Sequence, residues 1–225
     1  AVMPCLNEEE TIGTCVEKAV RALTRLNLPW EVIVVDNGST DRSAEIAAAR
    51  GARVVREPVK GYGSAYLRGL DEARGRHIVM ADSDDSYDWS EVGRFVTPLQ
   101  QGFDMVMGSR FKGSIEPGAM PWLHRYLGNP VLSWMLRLFF GGRVSDAHCG
   151  MRSLTKEAYR RLRLKTVGME FASEMIVKAC KAKMRIAEIP ITLHRDGRSG
   201  RPHLRTFSDG YRHLRFMLMY SPTYL

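Results

Sequence analysis

The segment His77-Ile-Val-Met-Ala-Asp82-Ser-Asp84-Asp85-Ser-Tyr-Asp88 decides the fold, because a short apolar run ends abruptly in four carboxylates within seven positions. The apolar run is typical of a buried strand. Carboxylates this close repel one another and raise each other's pKa, so a compensating charge is expected. Asp82 and Asp84, two positions apart, can both bind one divalent cation that prefers oxygen ligands, such as Mg2+ or Mn2+. Such an ion is most useful when it also holds the phosphates of a substrate.

The same residues admit a second interpretation, a turn followed by a helix N-cap. Ser86 or Asp88 could cap a helix that begins near Trp89. Taken alone, the segment supports the metal site and the cap equally. A calcium loop of the EF-hand type is a poor fit, because the sixth position, which should be Gly, is Tyr87, and the twelfth, which should be Glu, is Gly93.

The composition predicts one sizeable α/β domain with an anionic partner. The chain has 225 residues, of which 44% are hydrophobic and 26% charged, as is ordinary for a globular domain. Its net charge of +8 favours a nucleic acid, an acidic membrane surface or a phosphorylated substrate. The four cysteines form no CxxC pair, which favours a reducing compartment over a disulfide framework or a zinc site.

Apolar runs alternate with helical patterns along the first half of the chain. Strands are predicted at the start of the chain and at residues 31–35, 53–55, 78–80 and 104–107. Helices are predicted at residues 8–26, from about 42 to Gly51, and at 63–74 with Gly75 closing the last one. This alternation predicts a mostly parallel sheet flanked by helices, in a single domain over residues 1–225.

Polar clusters follow three of the predicted strands, at residues 4–8, 36–41 and 82–85. Ligands of open parallel sheets lie beyond the carboxyl ends of the strands. We therefore expect the three clusters to converge on one edge, which favours the metal site over a simple turn.

The second half of the chain is less regular. Helices are predicted at 131–140, 169–183 and 206–220, and a strand at 185–193. The apolar helix 131–140 is interpreted as a packing helix, with a helix lying on a membrane as the alternative. No stretch reaches the ~18 apolar residues of a membrane span. Both ends of the sequence look cut, so we expect the domain to be truncated and a membrane region to follow residue 225.

The segment Lys60-Gly61-Tyr-Gly63-Ser-Ala65 opens a predicted helix. Gly61 would let the backbone approach a nucleotide closely. The segment is neither a Walker A motif nor a GxGxxG fingerprint, so on its own it is weak evidence.

The order of these motifs resembles glycosyltransferase family 2. They are Met-Pro4-Cys-Leu-Asn7-Glu8-Glu, Val-Val-Asp36-Asn-Gly-Ser-Thr-Asp, Gly61-Tyr-Gly-Ser-Ala and Ala-Asp82-Ser-Asp84-Asp. Later segments resemble the polyprenyl- or dolichyl-phosphate sugar synthases of that family: Val-Met-Gly-Ser-Arg110-Phe, Asp146-Ala-His-Cys-Gly-Met-Arg152, Gly168-Met-Glu-Phe-Ala-Ser-Glu174 and Glu188-Ile-Pro-Ile. The resemblance implies the GT-A fold and inverting transfer from a nucleotide-diphosphate sugar.

The resemblance also implies roles for residues on the donor side. Pro4, Asn7 and Glu8 match the first donor-binding loop, and Asp36 matches the acidic residue that meets the base or ribose. The family's usual second Asp is Asn37 here, which weakens any role that needs a charge at that position. Gly61 and Ser83 are also expected at the nucleotide sugar.

For the metal and the acceptor, the resemblance implies a further set of residues. Asp82 and Asp84 match the metal-binding DxD pair, with Asp84 counted as catalytic. Asp146 matches an acidic residue near the acceptor, and it would position a phosphate acceptor or act as base towards a hydroxyl acceptor. Arg110 and Arg152 are expected at the acceptor phosphate, and Arg110 and Asp146 are counted as catalytic together with Asp84. The family's frequent Gln two residues after the second Asp is Ser86 here, which leaves the third metal ligand open.

The basic segment of residues 194–205 suits a phosphate-rich substrate, because Arg side chains bind diphosphate oxygens in a fork. Arg198 and Arg201 are therefore expected at the donor, with a solvated basic loop as the alternative. Arg212 and Arg215 could instead anchor the chain at an anionic membrane. His148 and Cys149 lack partners at metal-ligand spacing and are interpreted as structural.

Together these observations predict a metal-dependent hexosyltransferase at the cytoplasmic face of a membrane. The donor is expected to be UDP-glucose, with GDP-mannose next, and the acceptor a polyprenyl or dolichyl phosphate. A soluble family member that acts on a hydroxyl acceptor is the nearest alternative. A nucleic-acid-binding module ranks last, because the arginine cluster lies beside Gly and Pro rather than among exposed aromatics. A homo-oligomer stays open.

Overall fold

A seven-stranded sheet forms the centre of the computed structural model, which describes residues 1–142, 144–199 and 206–220. The strands are β1 (Val2–Cys5), β2 (Ile33–Asp36), β3 (Arg53–Arg56), β4 (His77–Met80), β5 (Met105–Ile115), β6 (Arg152–Thr155) and β7 (Ile186–Leu193). Their order is β3-β2-β1-β4-β6-β5-β7. Strand β6 runs antiparallel to β4 and β5, and the other pairs in this sheet are parallel. The predicted α/β architecture with a mostly parallel sheet is confirmed.

Helices cover both faces of the sheet. They are α1 (Ile12–Thr24), α2 (Ser43–Ala49), α3 (Tyr62–Glu72), α4 (Val92–Gln100), α5 (Asn129–Phe140), α6 (Lys156–Leu162), α7 (Phe171–Lys181) and α8 (Thr206–Met219). Helices α1, α2 and α4 share one apolar core with the sheet, and α3 and α5 to α8 share the other. Within the described residues, no helix has the length and apolar character needed to cross a bilayer.

Side chains of the central strands alternate between these two cores. In β2, Ile33 and Val35 pack on the α3 side, whereas Val34 packs on the α1 side. Successive side chains of a strand point to opposite faces. A strand that is buried on both faces therefore reads as a continuous β-branched run, as β2 does.

The carboxyl ends of β1, β2 and β4 lie at one edge of the sheet, as predicted. The loop after β1 bonds the loop after β2, where the backbone N–H of Asn7 donates to Ser39 Oγ at 3.0 Å. The loop after β4 bonds the end of β1, where Ser83 Oγ donates to the Pro4 carbonyl at 2.6 Å. The three polar clusters therefore form one continuous surface.

Helix α3 ends three residues before Gly75, the residue that was predicted to close it. Ala73 is already extended, with φ −62° and ψ 125°. The ammonium group of Lys156 donates to the carbonyls of Asp71 and Ala73 at 3.0 and 2.9 Å. A residue 83 positions away thus satisfies the end of this helix, which local sequence could not indicate.

Two kinds of element were not predicted. Strand β6 is a four-residue segment that inserts between β4 and β5, out of chain order, and its Ser153 hydroxyl donates to the Phe95 carbonyl at 2.8 Å. Helix α6 was also missed. The helix predicted to begin near Trp89 is present as the 3-10 turn Trp89–Glu91 followed by α4, which has Pro98 inside it. Residues that look like turn formers are helical here because their apolar neighbours are buried against the sheet.

Candidate active site

The loop after β1 is fixed to the loop after β2 by side-chain hydrogen bonds. Asn7, with φ +55°, accepts from the backbone N–H of Thr40 at 2.8 Å. The Glu8 N–H donates to Ser43 Oγ at 2.7 Å, and the Glu8 side chain is buried. The predicted donor-side residues Pro4, Asn7 and Glu8 therefore lie together at the edge of the sheet.

Asp36 and Asn37 shape the end of β2. The buried Asp36 carboxylate accepts from the Ser39 N–H at 2.8 Å. The Asn37 amide donates to the carbonyls of Glu57 and Val59 at 2.9 and 2.8 Å, and its oxygen accepts from the Gly61 N–H at 2.8 Å. An Asp at this position would offer no donor to the two carbonyls. The departure from the family's second Asp therefore has a local structural cause.

Position 61 requires glycine because the loop of residues 166–168 packs against it. A Cβ at Gly61 would lie 2.2 Å from the Val167 carbonyl oxygen, and one at Gly63 would lie 2.3 Å from the Thr166 carbonyl oxygen. The Ser64 N–H donates to Val167 at 3.1 Å. These contacts account for the glycines by the packing of residues 166–168, and they argue against the predicted contact of Gly61 with a nucleotide.

Asp82 follows β4 in a buried, aromatic environment. Its Oδ1 accepts from the Tyr66 hydroxyl at 3.3 Å, and its carbonyl accepts from Trp89 Nε1 at 3.0 Å. Its Oδ2 faces Gly150, where a Cβ would approach to 2.8 Å. Burial, followed by the charge of Asp84, raises the pKa of Asp82 to about 7.

Asp84 divides its two oxygens between a turn and an arginine. Oδ1 accepts from the N–H and the hydroxyl of Ser86 at 3.0 and 2.6 Å, and Oδ2 lies 3.4 Å from Arg198 Nη2. Burial raises the pKa of Asp84. Asp88 caps the 3-10 turn Trp89–Glu91 by accepting from the Ser90 N–H at 2.9 Å. Asp88, one of the two predicted cap residues, therefore forms the cap, and Asp82 and Asp84 take no part in it.

Residues 194–199, called the 194–199 segment below, lie over the acidic cluster. The Gly197 N–H donates to the Asp84 carbonyl and the His194 N–H to the Ser86 carbonyl, both at 2.9 Å. Arg198 Nη1 lies 2.9 Å from Glu8 Oε1. This arrangement brings Arg198 to the donor-side residues. Arg201, predicted for the same role, lies outside the described residues.

The acidic cluster fits a divalent cation that substrate oxygens complete. Among the described residues, no three His, Cys, Asp or Glu side chains are grouped to hold a metal. Mg2+ is commonly held by one or two carboxylates together with waters and substrate phosphates. Asp82 and Asp84 supply such a pair, and the guanidinium of Arg198 beside Asp84 and Glu8 shows that the cluster attracts a cation. Ser86 is engaged with Asp84, so the third ligand stays open.

Arg110 and Asp146 form a buried ion pair. Arg110 Nε and Nη2 each lie 2.7 Å from an Asp146 carboxylate oxygen, and the Arg110 backbone N–H donates to the same group at 3.0 Å. The Asp146 side chain is fully buried. Because Arg110 engages both oxygens, the geometry argues against Asp146 as a free general base and favours a role in holding Arg110.

Arg152 is held by backbone carbonyls. Its three nitrogen atoms donate to Cys149, Ala172 and Ala147 at 2.7, 2.9 and 3.1 Å, and the side chain is almost completely buried. This placement argues against the predicted contact with an acceptor phosphate. A buried guanidinium with satisfied donors instead fixes the loop before β6 to α7.

His148 joins a hydrogen-bonded chain, consistent with a structural role. Its Nε2 lies 2.9 Å from Ser173 Oγ, which lies 2.9 Å from His213 Nδ1. Burial and the neighbouring His213 lower the pKa of His148 well below its usual range. Cys149 is buried, and burial raises the pKa of its thiol to about 12, which makes it unreactive.

Two side chains near the acidic cluster and α7, Tyr66 and Glu170, were not predicted from the sequence. Tyr66 stacks on Phe171 with ring centroids 5.6 Å apart while its hydroxyl holds Asp82. Glu170, just before Phe171, has a buried Oε2 without a hydrogen-bond partner. The one indication for Tyr66 was its distance of four residues from Tyr62, which places both rings on one helix face. Glu170 belongs to the motif of residues 168–174, for which no role of this side chain was predicted.

Several known proteins resemble this chain in sequence. A family model described as Glycosyl transferase family 2 matches residues 1–163. The low-salt glycan biosynthesis hexosyltransferase Agl6 of Haloferax volcanii is 47% identical over 225 residues, which is all of this chain and 54% of that protein. The chain thus spans about half the length of this relative. The dolichyl-phosphate hexose transferase of the same organism is 31% identical over 209 residues, covering 93% of this chain and 87% of that protein.

A solved structure provides the fold comparison. Glucosyl-3-phosphoglycerate synthase from Mycobacterium tuberculosis, in complex with Mn2+, uridine diphosphate and glucosyl-3-phosphoglycerate, matches with a TM-score of 0.75 and 25% identity. The match covers 97% of this chain and 77% of that chain.

Proposed function

Because the chain belongs to glycosyl transferase family 2, we propose that it transfers a hexose from a nucleotide-diphosphate sugar to a polyprenyl phosphate, with inversion at the anomeric carbon. UDP-glucose is the preferred donor and GDP-mannose the second. The printed names of two relatives, a hexosyltransferase and a dolichyl-phosphate hexose transferase, support the hexose and the acceptor class. A related solved structure that holds uridine diphosphate supports the donor class.

On the donor side, Asp82 and Asp84 would hold Mg2+ or Mn2+. The cation, when bound, neutralises the charge that develops on the departing diphosphate. Pro4, Asn7, Glu8, Asp36 and Ser83 bind and orient the nucleotide sugar. Arg198 exchanges its carboxylate partners for diphosphate oxygens, which its planar fork suits, and Arg201 joins it.

The observation that carries the acceptor assignment is the engagement of both Asp146 oxygens by Arg110. A hydroxyl acceptor needs a free base to take its proton. A phosphate monoester, with a second pKa of about 6, is already largely ionised at neutral pH. The buried pair therefore supports a phosphate acceptor, with Arg110 as a fixed positive charge beside it and Asp146 as the residue that positions Arg110.

An acceptor with a polyprenyl chain resides in a membrane, so the proposed reaction takes place at a membrane surface. We assign it to the cytoplasmic face, where sugar nucleotides are made. The name of the dolichyl-phosphate relative supports membrane association.

A panel of radiolabelled sugar nucleotides tests the proposal. Each would be incubated with the chain, a polyprenyl phosphate and Mg2+ or Mn2+, and the lipid phase counted. We expect label in the lipid phase with UDP-glucose, less or none with GDP-mannose, and none in EDTA. Transfer to a polyprenol without its phosphate, at the same rate, would contradict the proposed acceptor chemistry.

One observation favours a second candidate, transfer to a soluble hydroxyl acceptor. Glu170 Oε2 is buried without a partner and could serve as base, and a related structure holds glucosyl-3-phosphoglycerate. This candidate predicts transfer to 3-phosphoglycerate that is lost in Glu170→Gln. Inactivity on that acceptor, together with a Glu170→Gln variant that still uses polyprenyl phosphate, would exclude it. The remaining alternative is a nucleic-acid-binding module. Salt-sensitive binding of nucleic acid, without binding of a sugar nucleotide, would favour it.

A further inference from the structure

Helix α5 exposes an apolar stripe to solvent. Leu127, just before the helix, and Val131, Trp134 and Leu138 within it follow a spacing of four, three and four residues, so they share one face. Leu127, Trp134 and Leu138 are 53, 56 and 59% exposed. Ser133 and Leu136, on the opposite face, are buried in the core, and so is Met135 at the edge of the stripe. A helix that is apolar on both faces requires a second apolar environment.

The residues that lead into α5 extend this stripe with aromatic rings. Trp122 is 71% exposed, and its ring centroid lies 5.7 Å from that of the exposed Tyr126. The guanidinium of Arg125 lies 5.4 Å from the Tyr126 ring centre. Trp and Tyr beside Arg are typical of the boundary between lipid headgroups and acyl chains.

Helix α8 contacts α5 and carries a second exposed apolar stripe. Its members Tyr211, Leu214, Leu218 and Met219 are spaced three, four and one residues apart and are all solvent-exposed. Monomeric soluble proteins rarely expose large apolar patches, so an exposed stripe on each of two neighbouring helices indicates an interaction surface.

The charged side chains of the chain segment that contains α5 are all basic. Residues 117–142 contain Arg125 and Arg137 but no Asp or Glu. A partner with an anionic surface and an apolar interior complements these residues, and a bilayer with acidic headgroups has both properties. A protein partner would be expected to meet acidic as well as basic residues at the rim.

A hydrogen bond joins this surface to the proposed acceptor site. Ser133, on the buried side of α5, accepts from the backbone N–H of Ala147 at 3.1 Å. Ala147 follows Asp146, the partner of Arg110. The loop that positions Arg110 is therefore attached directly to the helix with the exposed stripe.

We propose that the face of α5 formed by Leu127, Val131, Trp134 and Leu138, with Trp122 and Tyr126, lies in the interface of an anionic bilayer. This inference rests on the proposed function, because a polyprenyl phosphate presents its headgroup at that depth. An amphipathic helix with Arg among its polar residues and Trp and Leu on its apolar face binds in this way. The docked helix then brings Arg110 to the level of the acceptor phosphate.

Vesicle co-sedimentation of the whole chain tests the surface. The vesicles would contain phosphatidylcholine with or without phosphatidylglycerol, and no substrate would be present. We expect binding to the anionic vesicles that weakens with salt, and at least about a tenfold loss of partitioning in the Trp134→Ser, Leu138→Ser double variant.

A matched control replaces Leu28 and Trp30, which are 40 and 41% exposed and lie before β2, away from α5. Leu28→Ser with Trp30→Ser should leave partitioning unchanged, and circular dichroism should show both double variants folded. Equal partitioning of the wild type and the α5 variant would overturn the proposal. So would a wild-type dimer that the α5 variant dissociates without any effect on vesicle binding, because the surface would then join two copies.

The outcome is independent of the reaction itself. Transfer to a short, water-soluble prenyl phosphate would be measured in parallel, without vesicles. Retained transfer with no effect of the α5 variant on vesicle binding would refute the surface and leave the proposed function intact. Absent transfer, together with a clear loss of vesicle binding in the α5 variant, would support the surface and contradict the proposed function.

Discussion

The guanidinium of Arg198 lies between Asp84 and Glu8, with Nη2 3.4 Å from Asp84 Oδ2 and Nη1 2.9 Å from Glu8 Oε1. Both carboxylates are well buried, so each would be costly to leave without a counter-charge. An arginine from the 194–199 segment therefore supplies the positive charge that a divalent cation would supply during the reaction.

Replacing this arginine should strengthen metal binding to the free chain. In Arg198→Gln, Asp84 loses the guanidinium that faces it. We therefore expect Mn2+ to bind about tenfold more tightly in the absence of nucleotide, which corresponds to about 1.4 kcal/mol of binding free energy. Added UDP should then raise Mn2+ affinity less than in the wild type, because Arg198 is absent from the diphosphate. Isothermal titration calorimetry measures both values.

Arg195→Gln is the control for that experiment. Arg195 belongs to the same segment but donates to the Pro117 carbonyl, and its backbone bonds Glu116. It should therefore leave Mn2+ affinity near the wild-type value. Unchanged or weaker Mn2+ binding in Arg198→Gln would show that Arg198 does not compete with the cation.

Two carboxylates of the acidic cluster, Asp84 and Asp88, should differ in function: the first should matter for transfer and the second for stability. Asp84→Asn should lower kcat/KM for sugar transfer by roughly 10²–10³-fold, as expected when one charged group at a reacting centre is removed. Asp88→Ala should cost about 1 kcal/mol of stability through loss of its cap and leave transfer nearly unchanged. Transfer assays and urea unfolding of both variants test this, and a fully active Asp84→Asn would rule out the metal assignment.

Stability should depend on pH through Asp82. Its pKa in the fold, about 7, lies above the unfolded value, so the folded chain holds this proton more tightly. As pH rises from about 4 to about 7, this group should therefore reduce the free energy of unfolding, by up to about 1.4 kcal/mol per pH unit. Above pH 7 the effect should be constant.

Urea unfolding of the wild type and Asp82→Asn in EDTA isolates this contribution. The variant should gain stability relative to the wild type as pH rises across that window, since Asn cannot titrate. A difference between the two proteins that stays flat with pH would mean that Asp82 titrates normally. Saturating Mn2+ should reduce the slope, because cation binding releases the proton.

The Arg110–Asp146 pair should be coupled in stability. Asp146→Asn removes one charge and leaves a buried guanidinium unpaired, which typically costs 3–5 kcal/mol, so about that loss is expected. The double variant Arg110→Met, Asp146→Leu removes both charges, so its midpoint of unfolding should lie at a higher urea concentration than that of Asp146→Asn. Additive losses in the double-mutant cycle would contradict the pairing.

The sequence specified the donor edge better than the acceptor edge. The polar clusters after β1, β2 and β4 follow apolar runs in chain order, and parallel strands bring such ends together. Arg152 was expected at the acceptor phosphate because a motif does not reveal that two carbonyls of the loop before β6 and one of α7 bond its guanidinium. Strand β6 was missed for a related reason: its position between β4 and β5 depends on long-range pairing and not on its own four residues.

Helix α5 illustrates the same limit at the surface. Its apolar residues predicted the helix correctly, but periodicity alone cannot say which apolar side chains are buried. Met135 and Leu136 face the core, whereas Trp134 and Leu138 face solvent. Only the position of the helix against α7 and α8 separates the two sets.

The hydrogen bonds of the 194–199 segment also bear on the fraction of molecules that can bind the donor. Its Ser199 N–H and hydroxyl bond Glu10 at 2.6 Å, in addition to the contacts of Gly197 and Arg198. If only the undocked fraction of molecules admits donor, the apparent dissociation constant equals the intrinsic one divided by that fraction. These few bonds would then set how much sugar nucleotide the enzyme requires to be half-saturated, while leaving the speed of the filled site untouched.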